Sequence, residues 1–262
     1  MTTRRHLLFA TGALTAHAAD LAPKTVQSFA AHMKQREAGV QAARLQGSRF
    51  LWAEDDAARL QKVRAGEVVI DKSVKANPIE VPGGLIHDWT GSILIPGTTT
   101  ARVVGMVQNY DRHKSIYRPE VVDSKLLSRD GNDFRIFLRL VKKKVLTAVL
   151  NTEHDVRYFP VSSTRVHSRS YSSKISEVKD PGTPQETELP PGEGHGFLWK
   201  LNSFWRFDQR DEGVYVECEA ISLTRGIPFG LGWMIEPIIR ELPLESLEKA
   251  LVSTREAAKR GA

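Results

Sequence analysis

The stretch from Pro119 to Arg225 constrains this 262-residue chain more than any other, because it reads as a nearly unbroken series of strands. The runs Val121 to Ser128, Phe134 to Val141, Val145 to Arg157, Thr164 to Val178, Phe197 to Asp208 and Val214 to Leu223 alternate or concentrate apolar and β-branched residues. Turn residues at Asp130-Gly131-Asn132 and Asp211-Glu212-Gly213 make hairpins the natural joins. Parallel pairing would need crossover helices, and this stretch has none. An antiparallel meander is expected.

Helical pieces lie on both sides of it. Ahead of the meander, strands at Glu67 to Lys72 and Leu85 to Ile95 lead to a helix capped within Thr98 to Thr100 and running to about Asn109. A broken turn over Tyr110 to Tyr117 follows, and Pro119 stops it. Behind the meander come a short helical piece to Arg240 and a helix from Pro243 to Lys259, whose Leu244, Leu247 and Leu251 form a stripe that should pack on the sheet. The fold class is therefore α+β: a curved antiparallel sheet around a long C-terminal helix. An extra helical segment at residues 19–66 precedes it, with Val26, Phe29, Ala30 and Met33 at helical spacing and a second helix from Glu54-Asp55-Asp56 to Gly66. Two short helices separated by Gly39 and Gly47, with solvated charged faces, are expected there.

Residues 1–18 read as a signal peptide. Arg4-Arg5 precede an apolar stretch from Leu7 to Ala16 and an Ala16-His17-Ala18 cleavage pattern, and the paired arginines resemble a twin-arginine export signal. An exported protein, periplasmic or secreted, is the expectation. Three units result: the leader, the helical segment 19–66 and one domain at 67–262.

The net charge of +6 does not indicate nucleic-acid binding. Residues 24–64 hold eight Lys/Arg against four Asp/Glu, the remainder is almost neutral, and no basic stripe with interleaved aromatics crosses the strands. Cys218, the single cysteine, sits in an alternating strand and reads as a small core residue. His87, His113, His154, His167 and His195 lack metal-ligand spacing, so no metal and no cofactor is indicated. Neighbours on a strand face opposite ways, so Glu153 and His154 cannot serve one pocket. Arg165, His167 and Arg169 share a strand face, read as solvated. The glycines of Gly192-Glu193-Gly194-His195-Gly196 lead into a strand, not a helix N-terminus, so a mobile hairpin loop is expected in place of a phosphate site. No catalytic residue is assigned.

The last hairpin is specific enough to be tested. Phe197, Trp199, Leu201, Ser203, Trp205 and Phe207 are expected on one buried face, opposite the small Val214, Val216, Cys218, Ala220 and Ser222. A loop at Arg210 to Gly213 pairs Gln209 with Val214, Trp205 with Cys218 and Arg206 with Glu217, the last pair facing outward as a surface contact.

The strand Ile86-His87-Asp88-Trp89-Thr90-Gly91 with its following helix, the Tyr110-Asp111-Arg112-His113 turn, the segment Trp199 to Phe207 and the terminal helix resemble the START-like (SRPBCC) superfamily, which includes polyketide cyclase/dehydrase and lipid-transfer-like members. The resemblance covers roughly residues 67 to 260 and implies the helix-grip fold, with an apolar cavity between sheet and C-terminal helix. It carries over no fixed catalytic residue. Candidate cavity residues are Trp89, Tyr110, Phe134, Leu138, Trp199, Ser203, Trp205, Ala220, Trp233 and Leu247. The expected function is binding or carriage of a hydrophobic small molecule or lipid, with transient membrane-surface contact. The alternatives are a cyclase-, dehydrase- or hydrolase-type enzyme using the same cavity, and a ligand-free envelope module.

Overall fold

The computed structural model describes residues 21–143, 147–226 and 232–261, with side chains excepted over 232–240. The leader lies outside the described residues. The N-terminal segment is α1 (Pro23–Arg36), a π-helical turn (Glu37–Gln41), α2 (Ala42–Gln46), a 3-10 turn (Trp52–Asp55) and α3 (Ala57–Arg64). Then come β1 (Val69–Lys72), β2 (Ile79–Val81), β3 (Gly84–Pro96), α4 (Thr100–Val107), a 3-10 turn (Tyr110–Arg112) and α5 (His113–Ile116). The meander is β4 (Val121–Asp130), β5 (Asp133–Lys143), β6 (Thr147–Pro160), β7 (Arg165–Lys179), the short β8 (Thr187–Glu188), β9 (Lys200–Arg210) and β10 (Gly213–Arg225), closed by α6 (Gly232–Lys259).

The sheet runs β1-β3-β10-β9-β7-β6-β5-β4, all antiparallel, with β2 on β3 and β8 on β7. One long-range pairing organises it: β10 lies along β3 from Gly213 opposite Pro96 to Arg225 opposite Gly84, joining the start of the domain to the end of the meander. The hairpin register is the expected one, with Val214 opposite Gln209, Cys218 opposite Trp205 and Glu217 opposite Arg206.

The inner face carries the main core. Ile93 and Ile95, Val216 and Cys218, Phe207, Phe134 and Ile136, and Val156 and Tyr158 meet Val103 and Met106 of α4 and Leu247 and Leu251 of α6. Gly91 decides how closely α6 can approach. A Cβ at that position would lie 2.6 Å from Leu251 Cδ1 and 3.4 Å from Leu247 Cδ2. Gly91→Val should therefore push α6 off the sheet and cost about 1–3 kcal/mol by overpacking, read as a lowered melting temperature. An unchanged melting temperature would show that the helix does not rest on this glycine.

Helix α6 differs from expectation. It is one helix of 28 residues that passes through Pro243. Proline in a helix interior costs about 3 kcal/mol. The buried Leu247 and Leu251 one and two turns on anchor the C-terminal half against β3.

The outer face is covered by the N-terminal segment. Phe29 and Met33 of α1 pack on Ile86, Phe204, Ile221 and Leu223, while Phe50, Leu51, Ala53 and Val63 pack on Leu94 and Tyr215. Gly39 does not end the first helix; it lies inside the π-helical turn that carries the chain on into α2. The second helix starts as expected, with the Asp56 side chain accepting from the Arg59 amide.

One further expectation is corrected. Trp199 precedes β9, which begins at Lys200, so strand alternation does not reach it; its amide donates to the Leu223 carbonyl at 2.7 Å and its ring packs with Phe204 and Phe29 on the outer face. The glycine loop at 192–196 meets β7 where it enters β9. Its His195 and Phe197 amides donate to the Glu177 carboxylate at 2.8 and 3.1 Å, so the backbone donors meet an anion supplied by β7.

Candidate functional site

Pairing across β3, β10, β9 and β7 sets the inner face as a grid. One row reads Trp89, Ala220, Ser203, Ser170, and the next reads Gly91, Cys218, Trp205, Ser168. Each tryptophan has a small residue opposite it on a neighbouring strand, and Trp89, Trp205 and Ala220 pack against the main core. Trp89, Ala220, Ser203 and Trp205 are all half-buried, whereas Arg206 and Glu217 on the opposite face are sealed. Trp89 Nε1 is buried without a hydrogen-bond partner, an unmet demand that costs about 1–3 kcal/mol. The inner face thus presents two half-buried tryptophans among small side chains.

Of the other candidate residues, Tyr110, Phe134 and Leu247 belong to the core against which Trp89, Trp205, Ala220 and Leu138 pack. Tyr110 and Phe134 sit in a closed aromatic cluster, with ring centroids 5.5 Å apart and the Tyr110 hydroxyl 2.9 Å from that of Tyr158. Burial pushes both tyrosine hydroxyls well up, and they stay protonated. Leu138 is half-buried between two apolar clusters, and Leu247 is in the core beneath α6. Trp199 is on the outer face, and the side chain of Trp233 falls outside the described residues. The sheet therefore gathers Trp89, Ser203, Trp205 and Ala220 and separates them from Trp199.

Two interior histidines bond to neutral groups. His154 Nε2 lies 3.1 Å from Thr152 Oγ1, and burial lowers its pKa to about 4. His113 Nε2 donates to the Val107 carbonyl at 2.8 Å and is likewise lowered to about 4 by burial. His87 is buried, with Nε2 3.2 Å from Thr224 Oγ1. As expected, Glu153 faces away from His154 and pairs with Arg135 at 2.8 Å. Arg165, His167 and Arg169 are on the outer face: Arg165 pairs with Asp208 at 2.8 Å, His167 stacks on Phe159 at 4.5 Å, and Arg169 lies over Phe159 and Tyr171. Burial of the Cys218 thiol raises its pKa well above the usual value, which suits a core residue and not a nucleophile.

Sequence reasoning missed the outer-face charge network. Beneath α1 and the π-helical turn, Asp88, Arg206, Glu217 and Glu219 are 0%, 2%, 0% and 1% exposed. His32 Nε2 and Arg36 Nε approach Asp88 Oδ2 at 2.8 and 3.2 Å. Arg36 also binds Glu219 Oε1, and Gln41 donates to Glu219 Oε2 at 2.6 Å. Arg206 donates to Glu217 Oε1 at 2.8 Å and to Gln41 Oε1, and the Ala53 amide donates to Glu217 Oε2 at 3.3 Å. The Arg206 and Glu217 pair is therefore not a surface contact. Desolvation raises the Glu217 and Glu219 pKa values, and Asp88 adds to the rise at Glu219. The readable signal was the Phe29 and Met33 stripe, which needed an apolar partner the inner face could not supply.

No protein-family model and no curated protein matches this chain. Solved structures do. A protein of Thermus thermophilus aligns over 66% of this chain and 97% of its own at 15% identity and a TM-score of 0.47. A STAR-related lipid transfer protein of Xanthomonas axonopodis aligns over 73% and 98% at 14% identity and 0.47. The aromatase/cyclase Zhui of a Streptomyces species aligns over 68% and 94% at 12% identity and 0.42. Nothing about ligand or chemistry follows from likeness at this level. What this chain has, by its own strand order and closing helix, is a helix-grip fold, one antiparallel sheet with a long C-terminal helix packed on it.

Proposed function

We propose that this is an exported carrier that holds an apolar or amphipathic small molecule, of lipid, quinone-like or polyketide-like class, against the inner face of the sheet. The observation that carries the reading is the grid of Trp89, Ala220, Ser203 and Trp205, aromatic and small side chains left half-buried on the inner face of the sheet. Affinity comes from burial of apolar area, at about 25 cal/mol per Å². Carriage is favoured over acid–base catalysis because burial keeps His154 and His113 neutral, and no carboxylate of the described residues pairs with either. Export rests on the leader pattern at residues 1–18.

The test is native mass spectrometry and lipid extraction on protein recovered from its exported fraction. A co-purifying apolar compound is expected, lost in a folded Trp205→Ala variant. Absence of any such compound, together with no thermal stabilisation by added lipids or quinones, overturns the reading.

A further inference from the structure

One edge of the sheet is β4, and it carries apolar side chains where an edge strand is ordinarily charged. Val122, Leu126 and Leu127 are 41%, 36% and 46% exposed; on every other element of the described residues, an exposed large hydrophobic stands alone. Two of the three are bulge residues. The pairing with β5 steps from Val121 to Asp123 and from Leu126 to Ser128, so Val122 and Leu127 have no partner on the neighbouring strand. A bulge takes its extra residue out of the ladder and bends the strand. The 3-10 turn at Tyr110–Arg112 and α5 lie along the same strand: the Leu126 amide donates to the Asp111 carboxylate at 3.0 Å, and the Lys114 amide donates to Ser124 Oγ at 2.9 Å. With that amide taken and two bulges in the ladder, β4 is a poor template for an added strand.

We propose that this edge docks the protein on an anionic lipid surface, with Leu126 and Leu127 entering the acyl boundary and the neighbouring cations meeting the lipid phosphates. The charge around the leucines supplies the match. Lys125 and Arg129 flank them on β4, Arg112 follows Asp111 on the adjoining turn, and Arg118 stands beyond α5 near Val122; all four are exposed. Among the described residues, Arg112, Arg118 and Arg129 form no ion pair, and Lys125 reaches only Asp123, at 3.9 Å. The acids nearby are mostly taken: Asp111 by the Leu126 amide, Asp123 by Lys114 and Lys125, and Glu120 by Lys142 and Lys249, which leaves Asp130 against four cations. Apolar side chains gain by leaving water at the headgroup boundary, and each cation near an anionic leaflet adds to the attraction. A soluble anion would leave the leucines in water, and a partner strand would find the Leu126 amide already bonded. The edge lies at the far end of the sheet from β3, so the docking does not depend on what the inner face holds.

The test is co-sedimentation of the folded protein with phosphatidylcholine vesicles, with and without phosphatidylglycerol. Binding is expected to rise with phosphatidylglycerol and to weaken about fivefold in each of Arg112→Gln and Arg129→Gln. Leu126→Ser combined with Leu127→Ser should weaken it by more than about tenfold. A fluorophore places the contact. The single cysteine, Cys218, is buried, so bimane attached to Leu127→Cys reports from the edge alone, and its emission should shift to the blue on vesicles. The same label on Leu45→Cys, an exposed leucine of α2, should not shift. If the double serine variant fails to fold, the arginine variants and the label decide. Binding without phosphatidylglycerol dependence, binding unchanged by the leucine substitutions, or a blue shift at Leu45 and none at Leu127 overturns the proposal. Sedimentation velocity without vesicles gives the remaining outcome: a dimer that the leucine substitutions dissociate would assign the edge to a second copy of the chain and likewise overturn it.

Discussion

Replacing Arg206 with methionine is expected to destabilise the protein by about 3–5 kcal/mol, because it strands a carboxylate where water cannot reach. Arg206 and Glu217 are directly opposed across β9 and β10, joined at 2.8 Å, and nearly without exposure. In Arg206→Met, Glu217 keeps the Trp52 and Ala53 backbone amides, the latter at 3.3 Å, and the more distant charge of Arg44, and Gln41 loses the donor to its carbonyl oxygen. Burial already raises the Glu217 pKa against the pull of Arg206, so the variant should protonate Glu217 and unfold less steeply with falling pH. The pair itself adds little to net stability. Arg206→Met combined with Glu217→Leu should recover most of the loss, since apolar side chains can fill the volume without desolvating charge. Denaturant titration of the two single variants and the double closes the cycle. A loss under about 1 kcal/mol in Arg206→Met would mean that the N-terminal helices do not seal this face.

The same pair shows what the sequence could and could not tell. Strand alternation and turn length were enough to place Trp205 opposite Cys218 and Arg206 opposite Glu217, because side-chain period and a tight turn leave one register. They also assigned the faces correctly relative to each other. What alternation cannot say is whether the second face meets solvent, and a strand with both faces covered looks the same locally as one with a wet face. That answer lay near the other end of the chain, in Phe29, Met33, His32 and Arg36 on α1, and depended on a long-range docking that local pattern does not encode. Trp199 failed for a more local reason. Alternation was extended one residue beyond the strand, where the chain leaves the ladder and the ring turns outward. Pro243 misled because a proline suits the first turn of a helix, whereas here the helix runs on through it and is held by the packing of Leu247 and Leu251. Of the candidate residues, those within the β3, β10 and β9 ladder fell on one surface, since register alone positions them. Tyr110 and Phe134 depended on how α4 and the following turn close over β5, which alternation does not determine.

Acidification from pH 6.5 to 4 is expected to strip stability from this protein through its interior histidines. His154 and His113 are each lowered from 6.5 to about 4, with burial the leading cause. A depressed histidine pKa means that the unfolded chain binds the proton first. Stability from these groups is thus complete above pH 6.5 and is lost as pH falls toward 4. Each contributes a slope of about 1.4 kcal/mol per pH unit across that window, or about 3 kcal/mol in all. Glu217 and Glu219 act in the opposite sense. Their raised values add stability below the ordinary carboxylate range that is lost as pH rises through their folded pKa, so they soften the acid limb. The histidine contribution is isolated by difference. His154→Gln, which keeps a hydrogen-bonding group near Thr152 Oγ1 and removes the titration, should be somewhat less stable at pH 7 and flatter by about 1.4 kcal/mol per pH unit between 6.5 and 4. Urea titrations at half-unit pH steps measure that slope directly. Parallel curves for the variant and the parent would mean that water or a proton reaches His154 in the folded protein, which would in turn restore it as an acid–base group facing the grip.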